Sequence, residues 1–143
     1  MKYLYLLVLA LFSCVSSATE SNTALGISWA KCSKQSELMA GMTKNSELAN
    51  TLKNGSAILR AYAIAAAGGD AAEAQRMKTE VAFASEVERN HNNNEALQAF
   101  TAKWRAEVEA DAAMCSKSFE ENKPRFSSTV RDMLKPNAAD TKR

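Results

Sequence analysis

Cysteine and histidine, the residues that most often carry nucleophilic and metal chemistry, are scarce in this chain of 143 residues. It holds three cysteines and one histidine. A catalytic thiol at Cys32 or Cys115 needs a histidine within hydrogen-bond reach, and His91 is the one candidate in the sequence. A zinc or haem site needs clustered ligands, and the sequence offers no such cluster. We therefore predict no catalytic residues, no metal and no cofactor.

The carboxylates give little more support for catalysis. Helical di-iron proteins use two Glu-x-x-His pairs, whereas Glu88 and His91 form one pair and no second copy exists. Asp111 lies close to the apolar stripe of a predicted helix, where an unpaired carboxylate is costly. We expect a partner on another helix or partial exposure, and the alternative is an acid with a raised pKa. An enzyme would need Asp111 or His91 in a cleft with a second polar group, so we predict that the protein is not an enzyme.

The first 18 residues have the pattern of a secretory signal peptide. Lys2 precedes an apolar run over residues 3–12, and small residues follow up to Ala18. We predict cleavage after Ala18, and we expect the mature protein to be periplasmic or secreted from a bacterium. In the alternative, Cys14 is the acylated first residue of a lipoprotein, and contact with a membrane is expected only in that case.

Cleavage after Ala18 would leave two cysteines in the exported chain, Cys32 and Cys115. Two cysteines in an oxidising compartment most often form a disulfide, so we predict this pair rather than a free nucleophile. The bond would close a long loop, and the loss of chain entropy in the unfolded state would stabilise the fold by roughly 4 to 5 kcal/mol.

The remaining chain shows helical periodicity and no strand pattern. Four main helices are predicted, over about residues 27–42, 46–67, 70–90 and 94–122, followed by a short C-terminal helix over about residues 127–135. Asn54 and Gly55 interrupt the second helix, which predicts either two short helices or one with a kink. Pro124 is expected to end the fourth helix. The fold class is therefore all-α, an antiparallel up-down bundle held by one disulfide.

The same pattern divides the chain into four parts. Residues 1–18 are the predicted signal peptide, 19–26 a flexible arm, 27–135 the helical bundle domain and 136–143 a disordered tail.

The spacing of apolar residues also predicts which face of each helix is buried. In the first helix, Trp29 and Cys32 are predicted to face the core and Lys34 to face away from it. Asp70, with Glu73 three residues later, is predicted to cap the third helix. The inward stripe of that helix is predicted to consist of Met77, Val81, Ala84 and Val87.

Charge is nearly balanced overall, with 18 basic and 16 acidic residues, which gives no indication of nucleic-acid binding. Its distribution is uneven. Residues 70–121 carry six basic and eleven acidic groups, whereas residues 122–143 carry six basic and two acidic groups. We expect the basic segment to lie against the acidic helices of its own chain, and the alternative is that it steers a partner.

The function that these features favour is protein–protein binding in the bacterial cell envelope. By analogy at the level of the fold alone, such a protein would act as an immunity or inhibitor-type protein or as an accessory factor of a secretion or conjugation system. The predicted final helix either caps the bundle or contacts the partner through Phe126, Val130, Arg131, Met133 and Leu134.

The alternative function is that of a carrier for a small apolar ligand. Four aromatic residues at helical spacing would line a cavity between the helices, and in the competing interpretation they pack as core. They are Trp29, Tyr62, Phe100 and Trp104.

Overall fold

The computed structural model describes residues 21–135, which form four α-helices joined by short turns. They are α1 (Asn22–Met42), α2 (Ser46–Ala67), α3 (Gly69–Asn90) and α4 (Asn94–Met133). Successive helices run antiparallel, and residues 21–135 contain no strand. The predicted all-α bundle is confirmed. The predicted signal peptide, 1–18, and the predicted tail, 136–143, lie outside the described residues.

Short polar side chains begin three of the helices. The side chains of Ser21, Asn45 and Asn93 each accept a hydrogen bond from a backbone N–H of the first turn, at 3.0 to 3.1 Å. Gly68 both ends α2 and begins α3, with a φ of +86° that glycine adopts without strain. The predicted cap at Asp70 is therefore wrong, because Asp70 lies inside the first turn of α3.

Two predicted boundaries also need correction. α1 begins at Asn22, so the flexible arm predicted for residues 19–26 is wrong from that point on. Leu25 is fully buried in the core, and this burial stabilises the extra turn of helix. α2 is one continuous helix across Asn54 and Gly55, so the alternative of two short helices is wrong.

α4 continues through Pro124 to Met133, so the separate C-terminal helix predicted for residues 127–135 is wrong. A proline inside a helix removes one backbone hydrogen bond. The residues on either side of it are held by the core, because the rings of Phe119 and Phe126 pack edge-on against Trp29 with centroids 5.7 and 5.6 Å apart. This packing stabilises the helical conformation on both sides of Pro124.

All four helices contact one another, and α1 makes the most extensive contacts with the other three. Its residues are consequently buried on several sides. Trp29 and Ala30 have no exposed surface, and the polar side chains of Lys34 and Gln35 are also buried. The predicted burial of Trp29 and Cys32 is confirmed, but the prediction that Lys34 points away from the bundle is wrong.

A disulfide joins Cys32 of α1 to Cys115 of α4, with an S–S distance of 2.06 Å. Both residues are buried among the core side chains. Because α1 and α4 are antiparallel, the early part of the first helix meets the late part of the last. The predicted pairing is confirmed.

Charged side chains, beside the small apolar Ala72, connect α1 to α3. Arg76 donates to the hydroxyl of Ser33 and pairs with Glu37 at 2.5 Å. Lys34 pairs with Glu37 and with Glu80, at 2.9 Å in each case. Arg76 and Lys34 are both buried, so their charges depend on these partners for compensation.

The inward stripe predicted for α3 is wrong at Met77, Val81 and Ala84, whereas its fourth residue, Val87, is half-buried. Met77 and Val81 are 65% and 57% exposed, and Ala84 is also exposed, while the buried positions are Ala72 and Arg76. α1 lies close against α3 on this side, and the small Ala72 and the ion pairs of Arg76 occupy the interface. The larger apolar residues are thereby turned towards solvent.

Candidate functional site

Three aromatic side chains meet between α3 and α4, near the turn that joins them. The ring of Phe83 lies 4.6 Å from that of Trp104 and 5.7 Å from that of Phe100, centroid to centroid. They form one wall of a cleft of about 290 Å³ that opens to solvent between α1, α3 and α4. We call it the hairpin cleft.

Apart from Ala82, the rest of the hairpin cleft is polar. Gln35 and Lys31 of α1 line its inner side, and Lys78 and Thr79 of α3 line its rim, with carboxylates at Glu86 and Glu107. The cleft therefore combines an aromatic surface with hydrogen-bonding groups of both charges. Such a surface suits a large apolar group with a polar end.

Asp111 is fixed beside this site. Its carboxylate accepts a hydrogen bond from the amide of Gln35 at 2.7 Å and pairs with the ammonium of Lys31 at 2.7 Å. Burial disfavours its charge, but the hydrogen bonds from Lys31 and Gln35 outweigh that effect and hold the pKa of Asp111 below its ordinary value. The predicted partner on another helix is confirmed. The Asp111 carboxylate connects α4 to α1, and its charge is compensated by Lys31. The alternative prediction, an acid with a raised pKa, is wrong.

The four residues predicted to line one cavity belong to two separate clusters. Phe100 and Trp104 lie in the hairpin cleft, whereas Trp29 and Tyr62 lie in the core. Tyr62 packs edge-on against Phe119 at 4.8 Å between centroids, and Trp29 donates from its indole nitrogen to Ser118 at 2.9 Å. These contacts fill the space between the rings, so the four residues do not surround a common cavity.

A second cleft, of about 260 Å³, opens between α2 and α4 on the other side of α1. The disulfide lies at its base, and its walls are mostly apolar. Ile58 and Leu59 come from α2, and Val108 and Ala112 come from α4. We call it the disulfide cleft.

The residues predicted to contact a partner are divided between core and surface. Phe126 and Val130 are buried in the core, so the end of α4 caps the bundle at these positions. Arg131, Met133 and Leu134 are exposed.

The residues considered for catalysis are not brought together. His91 caps α3 at the surface, and its Nδ1 lies 3.8 Å from the exposed carboxylate of Glu88. Both Cys32 and Cys115 are in the disulfide, so neither is a nucleophile in this state. Within residues 21–135, no three His, Cys, Asp or Glu side chains are grouped so that they could hold a metal ion.

Sequence reasoning missed Phe83, the residue that completes the aromatic wall. A signal for it exists, because residues at equal distances from the turn of an antiparallel helix pair face each other. Phe83 precedes the turn at residues 91–93 by about as many residues as Phe100 follows it. The stripe predicted for α3 is out of phase with the inner face that the structure shows. The periodicity of α3 alone therefore does not place Phe83 opposite Phe100.

No protein-family model, curated protein or solved structure matches this chain. None of the described helices is both long enough and apolar enough to cross a bilayer.

Proposed function

We propose that this chain is an exported, non-enzymatic protein of the bacterial cell envelope that acts by binding another protein through the hairpin cleft. The disulfide between Cys32 and Cys115 supports an oxidising compartment, because such bonds are rare where thiols are kept reduced. The signal-peptide pattern of residues 1–18 is a second, separate observation that supports export.

The aromatic wall of the hairpin cleft carries this proposal. Phe83 and Phe100 are half-buried and reach solvent in the cleft, and the buried Trp104 lies behind them. Aromatic side chains are enriched at the centres of protein interfaces, where they bury a large area with few rotatable bonds. A volume of about 290 Å³ fits one large side chain of a partner.

The cleft is also held rigidly. Its inner side belongs to α1, which is joined to α4 by the disulfide and by the contacts of Asp111 with Lys31 and Gln35. Rigid side chains lose little conformational entropy on binding, so more of the contact energy is available for affinity. The polar rim at Lys78, Thr79 and Glu86 would then orient the partner.

Site-specific photo-crosslinking in living cells tests the proposal. A photoreactive residue at Thr79, on the rim, is expected to capture one protein, while the same residue at the exposed Lys53 of α2 captures none. Ala82 is exposed and lines the cleft, so Ala82→Phe fills the cleft without disturbing the core. This variant is expected to abolish capture from Thr79.

The matched control is Ala84→Phe, which adds the same ring at an exposed position of α3 that does not line the cleft. Capture from Thr79 should continue in this control. Equal capture in both variants, or none from the unmodified protein, would show that the hairpin cleft is not the binding site.

The apolar disulfide cleft favours a second candidate, a carrier of a small apolar ligand. Native mass spectrometry of the protein purified from the envelope would then show an additional bound mass. Ala112→Phe fills this cleft from an exposed position, and the neighbouring exposed Ala113→Phe does not. Loss of the bound mass in the first variant alone supports the carrier, and protein without any bound molecule contradicts it.

A further inference from the structure

The last part of α4 carries basic side chains that the bundle does not neutralise. Lys123, Arg125, Arg131 and Lys135 lie in this segment, and Lys135 alone pairs with a carboxylate, that of Asp132, at 2.7 Å. No ion pair is formed by the other three within residues 21–135. The part of this segment that ends at Lys135 therefore packs on its own bundle through Phe126 and Val130 but forms no ion pair with the acidic residues of α3 or of the first part of α4.

Exposed apolar side chains lie among these charges. Phe126 and Val130 point into the core, but α4 continues past them, and Met133 and Leu134 are 45% and 71% exposed. On a helix, Leu134 and Arg131 are three positions apart and therefore neighbours on one face. The end of α4 thus presents an apolar residue with positive charges beside it.

The chain outside the described residues continues from this same end of the bundle. Arg125 donates to the side chain of Asn22 at 2.5 Å, so the beginning of α1 lies beside the end of α4. The described residues therefore begin and end at the same end of the bundle. The sequence after Lys135 adds Lys142 and Arg143 against one acid, Asp140, and so increases the positive charge.

We propose that the end of α4, comprising Lys123, Arg125, Arg131, Met133, Leu134 and Lys135, docks on the surface of an anionic lipid bilayer. Basic residues are attracted to the negative surface potential, and an exposed leucine beside them inserts at the boundary between headgroups and acyl chains. An acidic protein would match the charges but would not by itself require an exposed Leu134. Trp104 and Arg131 are 27 residues apart on one helix, or about 40 Å, so the hairpin cleft would face away from the bilayer.

Vesicle co-sedimentation tests this docking with purified residues 19–143, which contain the whole described bundle. Vesicles of phosphatidylglycerol are expected to bind at least fivefold more protein than vesicles of phosphatidylcholine, and about 0.5 M salt should remove the difference because it screens surface charge. Arg131→Glu combined with Lys135→Glu should reduce binding to the phosphatidylcholine level, and Leu134→Ser should reduce it severalfold.

The charge-matched control is Lys44→Glu combined with Lys53→Glu, two exposed positions at the opposite end of the bundle. This control should bind phosphatidylglycerol as the unmodified protein does. Equal losses in the two double variants would indicate attraction by overall charge and would overturn the proposal. So would the absence of binding to vesicles together with capture of an acidic protein by a photoreactive residue at Arg131.

Discussion

Gly26 of α1 and Ala67 of α2 lie so close that no side chain fits between the two helices. A Cβ atom on Gly26 would stand 2.5 Å from the Cβ of Ala67 and 2.8 Å from the carbonyl oxygen of Ala63. The chain of α2 would have to move to admit a methyl group. This contact sets the separation of the two helices at the end of the bundle where α1 begins.

Gly26→Ala is therefore expected to lower the free energy of unfolding by about 1–3 kcal/mol through overpacking. Chemical denaturation measures the change. Gly55→Ala is the control, because Gly55 lies within α2 with open space around it. This control should raise stability by roughly 0.5–1 kcal/mol, since alanine is the better helix former. Two changes of the same sign would contradict the packing argument.

Reduction of the disulfide is expected to destabilise the bundle by roughly 4 to 5 kcal/mol, because the bond between Cys32 and Cys115 closes a long loop in the unfolded chain. Cys32→Ser combined with Cys115→Ser should lower the melting temperature by the same amount as reductant does. Reductant should have no effect on this double variant. An unmodified protein with the same melting temperature in the presence and absence of reductant would contradict a stabilising role for the bond.

Arg76→Ala should destabilise the protein by about 1–3 kcal/mol, because it removes a buried side chain and its hydrogen bond to Ser33, while Glu37 keeps its pairing with Lys34. Arg89→Ala provides the comparison, since Arg89 is exposed and pairs with Glu86 at the surface. That variant is expected to change stability by less than about 1 kcal/mol. Similar effects of the two variants in denaturation would show that burial of Arg76 is unimportant.

Stability should fall on acidification because of Asp111 and Glu37. Hydrogen bonds from Lys34 and Arg76 lower the pKa of Glu37. Burial alone would raise the pKa of Asp111, but the hydrogen bonds from Lys31 and Gln35 more than compensate and lower it. A carboxylate with a lowered pKa in the folded state stabilises the protein above its unfolded pKa, about 4, and this stabilisation is lost as pH falls through the folded value.

Asp111→Asn should therefore be less stable than the unmodified protein at about pH 7, by about 1–3 kcal/mol, with a difference that shrinks below about pH 4. The exposed Glu109→Gln, two residues away, should leave the pH profile of the melting temperature unchanged. A difference between Asp111→Asn and the unmodified protein that is constant from neutral pH to about pH 3 would exclude a role for the ionised carboxylate.

The helices and the disulfide were predictable because their signals are local or simple. Ser46 follows a capping Asn45, glycine at 68 stops α2, and the two cysteines that follow the predicted signal peptide leave one pairing. Pro124 misled the prediction because tertiary packing of Phe119 and Phe126 on Trp29 outweighs its local preference.

The candidate site was predictable in part. Phe100 and Trp104 were assigned to a cavity by their spacing, but their companion Phe83 was not, because the periodicity of α3 suggested a different inner face. The true inner face is occupied by Ala72 and Arg76, and a hydrophobic pattern does not reveal that α1 contacts α3 through ion pairs. Such contacts depend on residues far apart in sequence.

The affinity of the captured partner for the two phenylalanine variants of α3 tests the proposed function most directly. Isothermal titration with the purified partner should show binding at least 100-fold weaker for Ala82→Phe, which fills the hairpin cleft, and within twofold of the unmodified protein for Ala84→Phe. A partner that binds both variants with the affinity of the unmodified protein would contradict recognition through Phe83, Phe100 and Trp104.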